Sequence, residues 1–577
     1  MSPLYQILIA VGALLPVSIY LVSLYLSTTN KSRYRHPNRS FFLARGTLTS
    51  FEFSNSSIAF GFQIASVSVF LAWGYTYGLA ALVNPIFWGL GIFVFALLIP
   101  RVLATSVIGE SIHGYLTRHY SSAALGRLGA IMTLTGYFGA LLAELALGCD
   151  VLSIIFPDKI FLAMLATFFI VLIATYIWKV GQRAAIETDQ LQLGFCYLGF
   201  IALAVALCWL PLSKGALGNA SYASTALLSV VLTGMLIGIW RQSGGLLEVL
   251  STSRYTGRLS HRINALLIIS VTMLGVLISL TLLLRFFFEP AKPLQIAAAS
   301  EKPLVDLGQG WINLLSLAAL PFFWQFIDAP MWQRIAAIQE GKDGRPVERE
   351  VERGLWRVAF ESPATWTLAI VIGISLRYLD IGLGDDIFAA FVELPSVLGK
   401  GVAELGWWSP ILGVVFVAAI MAAMLSTVDS MMMSTVFVSA SDLAGHKEGA
   451  SFEADQRIAR RVCYLFCGMT AVAIWGRFVL DLSIVPILMG GYAAQLSLAP
   501  AILGVLAPPS TGRPSWKWAI GSVAAGSAGA AVATLYALKQ PSWQLYAPLF
   551  ALGLSFVVYG LGVAYTGILR QTSGKAT

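Results

Sequence analysis

The sequence predicts an all-α, polytopic membrane protein of about 15 transmembrane helices, with the N-terminus outside and the C-terminus inside. Three observations carry that prediction. The 577-residue chain is 57% hydrophobic and only 11% charged, whereas a soluble domain is nearer a quarter charged, so the apolar surplus needs lipid. Apolar runs long enough to cross about 30 Å of hydrocarbon as a helix recur from end to end. The basic residues also gather on one side once the connections are assigned alternately.

In chain order the runs lie near 3–27, 51–80, 83–104, 124–156, 158–178, 188–212, 224–241, 263–288, 311–336, 358–378, 403–440, 461–478, 480–507, 516–537 and 543–568. The first follows only Met-Ser-Pro, with no positive region before it and no small-residue cleavage site after it, so it reads as a retained span. The runs 124–156 and 403–440 exceed what a crossing needs, which implies tilt, a bend or extension past the membrane surface.

The connection 28–50 holds Lys31, Arg33, Arg35, Arg39 and Arg45, and its side of the membrane collects 28 of the 37 Lys and Arg. That side is the cytoplasm. Orientation thus accounts for the net charge of +8, and nothing in it calls for nucleic acid. The connections are short, so no soluble catalytic domain is expected and the work is expected inside the membrane; the expected location is the inner (cell) membrane of a bacterium. The five cysteines (Cys149, Cys196, Cys208, Cys463, Cys467) lie in apolar runs and form no CxxC, which suits buried small hydrophobes. The five histidines (His36, His113, His119, His261, His446) lie in polar connections, away from any expected intramembrane metal or proton relay. No nucleophile–base pairing appears within the spans, so an enzyme is not expected.

An ionisable group at membrane depth costs about 2.5–3.5 kcal/mol and so points to function. Six acids qualify: Glu144, Asp150, Asp189, Asp328, Glu361 and Asp429. Asp150, Asp189 and Glu361 stand near span ends, within reach of interfacial water, while the other three are deeper. Lys and Arg enter the predicted runs only within a few residues of their ends, as Arg334 and Arg477 do, so a bound cation, a substrate group or a proton is expected to neutralise the deep acids. In a helix Ser426 and Ser430 are one turn apart and Thr427 adjoins Ser426, so their oxygens share a sector. Oxygen ligands suit sodium, and two hydroxyls need backbone carbonyls from an unwound helix to complete a site.

Two runs look interrupted. Gly61, Gly74, Gly78 and Gln63 break the stretch 56–78, and Pro321 and Pro330 flank Gln325 and Asp328 in the stretch 317–330. Broken helices at corresponding points of two halves mark a transporter's midplane site.

These residues resemble the solute:sodium symporter family, that of the sodium/proline and sodium/galactose transporters. The carrying segments are Ser426-Thr-Val-Asp-Ser430 with Ser441-Asp-Leu443, Gly74-Tyr-Thr-Tyr-Gly-Leu-Ala80, Glu187-Thr-Asp-Gln-Leu-Gln192, Gln333-Arg334 and Leu498-Ala-Pro-Ala-Ile-Leu-Gly504, in the family's order. The resemblance implies an inverted five-plus-five helix repeat, the LeuT-like fold. Repeats at 51–212 and 311–507 would be joined by two inserted spans in 213–310, preceded by an extra span and basic loop in 1–50, and followed by spans and a short tail in 508–577. It implies a sodium site made of Ser426 and Thr427 with the carbonyls of Ala423, Ala59 and Phe62. Asp189 matches an acid on the ion path, Asp429 is a second candidate for that path, and Ser66 and Trp324 fall at the substrate cavity with Gln325 and Asp328 on the same broken helix.

The chain departs from the family at His113-Gly114, where Pro-Glu is usual, and at Ser66 and Pro321, which replace residues that read a sugar. The function so implied is sodium-coupled uptake of a small polar organic solute by symport and alternating access. A proton-coupled symporter on the same scaffold and a transporter-like solute sensor are the alternatives. Sodium is the expected coupling ion, no cofactor is expected, and the expected partners are a small-molecule solute and the bilayer, with no nucleic acid and no obligate protein partner. Glu144, Asp328 and Glu361, unpaired, with Trp73, Tyr75 and Trp324 along the broken helices, would suit an amine or quaternary ammonium solute.

Overall fold

The computed structural model describes residues 2–29, 41–106, 110–213, 227–232, 311–339, 346–378, 387–400, 408–446, 452–480, 484–507, 513–540 and 546–573. Eleven helices among these are long and apolar enough to cross a membrane, and two bent helix pairs bring the number to 13. Of the 15 predicted spans, 263–288 lies outside the described residues, as does all of 224–241 except 227–232.

The first helix, α1 (Pro3–Thr29), packs against the long helix α13 (Trp408–Val438). The first bent pair is α2 (Ser50–Gly61) and α3 (Ile64–Tyr77), which meet at 61°. A capping box starts α2: Thr49 accepts from the Glu52 N–H, and Glu52 accepts from the Thr49 N–H. The helix stops at Gly61, and Gln63 is extended at φ −50° and ψ 128° with no side-chain cap of its own. Then come α4 (Val83–Thr105), the short α5 (Ile112–Tyr120), α6 (Ala123–Val151), α7 (Lys159–Val180) and α8 (Gln182–Ser213).

The second bent pair is α9 (Trp311–Ile327) and α10 (Ala329–Ile335), bent by 40° at Asp328, with Pro330 in the first turn of α10. Proline lacks an N–H, so it is tolerated at a helix start and not further in. There follow α11 (Val347–Tyr378), α12 (Ile387–Lys400), α13, a π-helical turn at Ser439–Leu443, α14 (Phe452–Leu480), α15 (Val485–Leu496) and α16 (Ala499–Leu506). The last pair, α17 (Trp516–Ala537) and α18 (Ala547–Ser573), pack on each other and on α15.

Two sets of five spans have matching partners. The closest packing joins α8 to α13 and, in mirrored fashion, α15 to α6; α7 meets α14 and α4 meets α11; the first broken span lies on α11 and the second on α4. This pattern is unchanged when the sets are exchanged, as an inverted repeat requires. Small residues permit the closest crossings. A Cβ on Gly74 would meet the Ile370 carbonyl oxygen at 2.3 Å, and one on Gly373 would meet that of Leu71 at 2.0 Å, so α3 and α11 touch backbone to backbone. The segments beside the two broken spans are also tied: the Thr47 and Leu48 N–H groups donate to the Ala337 carbonyl, and the Gln339 N–H donates to that of Leu48.

Several helices outrun their predicted apolar stretches. Helix α11 begins at Val347 and α14 at Phe452, where the sequence places starts at 358 and 461. Glu350, Arg357 and Asp455 are thereby helical and buried, while Glu348, Arg349, Glu453, Arg457, Arg460 and Arg461 are helical and exposed. Of the cysteines, Cys149, Cys196, Cys208 and Cys463 are buried and Cys467 is half-buried, all five free.

Candidate functional site

Asp189, on α8, is the centre of a buried polar cluster joining four helices. Ser426 of α13 donates to its Oδ1 at 2.6 Å, and Ser56 of α2 donates to its Oδ2 at 2.5 Å. Arg334 of α10 stands 3.5 Å from Asp189 Oδ2, donates to Ser56 at 2.8 Å and to Ser430 at 2.7 Å, and lies over the Phe60 ring. Asp429, three residues after Ser426, accepts from Thr188 at 3.3 Å through one oxygen, while its other oxygen has no partner. The Thr427 hydroxyl has none either. Asp189, Asp429, Ser426, Thr427, Ala59, Phe62 and Ala423 are all fully buried.

The cluster corrects two expectations. Asp189 does not reach interfacial water, because α8 extends past it on both sides and α2 and α13 cover it. Nor are the deep acids without basic neighbours: Arg334 follows the bend at Asp328, and α10 carries it inward to 1% exposure. Glu361 is likewise paired, accepting from Arg357 one turn earlier at 2.5 Å and from the Tyr197 hydroxyl. Asp189 pairs with Arg334, whereas Asp429 has no ion pair among the described residues and, as a carboxylate, is an unbalanced buried charge. A buried charge of that kind needs a cation or a proton.

The break between α2 and α3 adjoins this cluster. The Ala59 carbonyl accepts from the Phe62 N–H at 3.1 Å, and Phe62, as the last residue of that turn, begins the unwound link. Helix α13, with the hydroxyls of Ser426 and Thr427, packs on α2, whose last turn ends in the unwound link, and oxygen is the donor type this pairing supplies. It is chemically suited to a small hard cation.

Beyond the break lies a cavity lined by Gln63, Ser66, Phe70, Trp73, Asn84, Trp88, Ser316, Trp324, Trp366 and Tyr492 along with aliphatic residues, none of them ionisable except Tyr492. Of the sequence-predicted cavity residues, Ser66 and Trp324 line it, whereas Gln325 and Asp328 do not. Gln325 packs on Gly91 and donates to the Pro321 carbonyl at 2.9 Å. Asp328 precedes α10, 2% exposed and with one oxygen unpartnered.

Glu144 is the acid whose placement the sequence does not foretell. It comes from α6, fully buried, and its two oxygens accept the N–H groups of Ile64 and Ala65 at 2.8 and 2.9 Å. These are the first N–H groups of α3, left open by Gln63, so a distant carboxylate caps the half-helix. None of Glu144, Asp328 and Glu361 lines the cavity, which corrects the expectation of unpaired acids facing a solute. His113 is also not a surface residue. Its ring lies between Asp442 at 2.7 Å and Thr133 at 2.9 Å, fully buried where α5 folds back on α6 and the π-helical turn.

No family model matches the chain, and no curated protein matches it. Among solved structures, that of a substrate-bound, outward-open, Na+-coupled sialic acid symporter, described as revealing a novel Na+ site, aligns with a TM-score of 0.56. The alignment covers 97% of this chain and 97% of that one at 14% identity. At that identity the likeness establishes the fold: an all-helical, LeuT-like membrane protein.

Proposed function

We propose that this chain is a sodium-coupled secondary transporter of the solute:sodium symporter kind, carrying a small polar organic solute inward by alternating access. On this reading sodium is held by the Ser426 and Thr427 hydroxyls and the carbonyls of Ala423, Ala59 and Phe62. Asp189 and Asp429 form its path toward the cytoplasm, and the solute occupies the cavity beside Ser66 and Trp324. The repeats run over 51–212 and 311–507.

One observation carries the proposal. On α13 a fully buried and unpartnered Thr427 hydroxyl lies two residues before Asp429, a buried carboxylate with no ion pair among the described residues, and its neighbour Ser426 donates to Asp189. A monovalent cation answers both needs at once, ligation and charge. Each sodium entering across 100 mV supplies about 2.3 kcal/mol, on the order of fifty-fold accumulation of solute.

A second reading is favoured by the unpartnered oxygen of Asp429: a proton there removes the same unbalanced charge and makes the chain a proton-coupled symporter. Uptake into proteoliposomes decides between them. An imposed sodium gradient drives accumulation on the first reading, and a proton gradient without sodium drives it on the second. Solute bound with no flux under either gradient overturns both.

A further inference from the structure

The cavity and the helix end behind it specify the charge of the solute. In a LeuT-like architecture the N-terminus of a half-helix offers its open N–H groups to an anionic group of the ligand. Here those groups are taken: Ile64 and Ala65, the first residues of α3, donate to Glu144 of the same chain. An incoming carboxylate finds that place occupied by another carboxylate and, among the described residues, meets no Lys, Arg or His along the cavity lining.

What the lining does offer is aromatic surface. On one side Phe70 stacks on Trp366 at 4.5 Å, Trp366 lies 4.0 Å from Trp88, and Phe70 touches Trp73 edge-on at 5.5 Å. On the other side Trp324 meets Tyr492 at 4.7 Å. Four tryptophans therefore contribute to one cavity. Aromatic faces carry partial negative charge and attract cations without hydrogen bonding to them. Tyr492 is further within electrostatic reach of Glu144 and Asp328. The lining is therefore rich in aromatic rings, with Glu144 behind it at the start of α3.

We propose that the cavity binds an organic ammonium cation, held by the tryptophan faces, and that Glu144 acts as an internal anion that bars carboxylate ligands from the start of α3. This rests on the transport reading for its purpose but not for its test, which measures binding alone. The purified full-length protein in detergent is titrated with choline, with 3,3-dimethylbutanol, its uncharged isostere, and with acetate, following intrinsic tryptophan fluorescence and thermal shift. Choline is expected to bind about 10- to 30-fold more tightly than the alcohol, and acetate is expected to give no response. Trp324→Leu is expected to weaken choline at least several-fold while leaving sodium-induced stabilisation intact. Glu144→Gln keeps the side chain's shape, and choline affinity is expected to fall while acetate begins to register.

Equal binding of choline and the alcohol overturns the cation claim, and so does no binding of choline at millimolar concentration. Acetate binding to the unaltered chain overturns the role of Glu144. Choline bound but never carried in proteoliposomes leaves the cavity reading standing and removes the transport one. Sodium-driven flux of a carboxylate solute does the reverse.

Discussion

Replacing Thr427 by Val separates an ion ligand from a packing residue. The two side chains have nearly the same shape, and the Thr427 hydroxyl is buried without a partner among the described residues. Leaving such a group unsatisfied costs about 1–3 kcal/mol. Without sodium, Thr427→Val should therefore be at least as stable as the unaltered chain. With sodium the variant lacks one of five proposed oxygens, and an interaction with a charged group is worth about 1.5–3 kcal/mol, so the half-saturating sodium concentration should rise about 10- to 150-fold.

The assay is thermal unfolding of purified protein across a sodium titration, with potassium holding ionic strength constant. At a sodium concentration 100 times its dissociation constant, binding stabilises the fold by about 2.7 kcal/mol, and a site weakened 100-fold retains only about 0.4 kcal/mol. The expected signature is a variant equal or superior in potassium and deficient in sodium. A variant that follows the unaltered chain at every sodium concentration refutes Thr427 as a ligand. One that loses equally in both salts shows a packing role.

Three further outcomes are expected. Arg357→Met leaves Glu361 buried with the Tyr197 hydroxyl as its remaining polar contact among the described residues and should cost about 3–5 kcal/mol; the double change with Glu361→Met should recover most of it, as read by thermal shift of the three proteins. Gly373→Ala places a Cβ 2.0 Å from the Leu71 carbonyl oxygen, so the yield of monodisperse protein on size exclusion should drop sharply, while Gly468→Ala, with open space around its Cβ, should be silent. Asp429→Asn removes a buried carboxylate that has no ion pair among the described residues. On the sodium reading, sodium-driven uptake persists with a higher half-saturating concentration, and on the proton reading, uptake loses its dependence on an imposed pH gradient.

The interrupted helices were legible because glycine and proline announce a break in an apolar run. Ser56, Ser426 and Asp189 could be suspected singly, but no periodicity says that residues 133 and 237 positions apart share a hydrogen-bond network. Arg357 escaped because its span was bounded by the charge itself. The spacing to Glu361, one helical turn, was a signal that could have found it. Arg334 escaped for another reason: its burial follows from the direction α10 takes after Asp328, a tertiary fact. Glu144 likewise had no local signature, since the N–H groups it accepts belong to residues about 80 positions earlier. The sequence showed an acid at depth, and only the fold showed what it holds.

The contact of α3 with α11 through Gly74 and Gly373 has a mechanical consequence. Carbonyl oxygens seated where side chains would stand leave no clearance for sliding, so the two helices form a single lever. Any swing about the hinge at Phe62 and Gln63 that moves α3 must carry α11 with it, together with Trp366 and its share of the aromatic wall. The other half, α2, is also held to α11, by the Trp366 indole N–H on the Gly61 carbonyl and the Ser54 hydroxyl on that of Gly354, and to the second broken span by the backbone ladder from Leu48 to Ala337 and Gln339. Motion of α3 is then the rotation of a two-helix beam, and motion of α2 requires its bonds to that beam and to α8 to part as well.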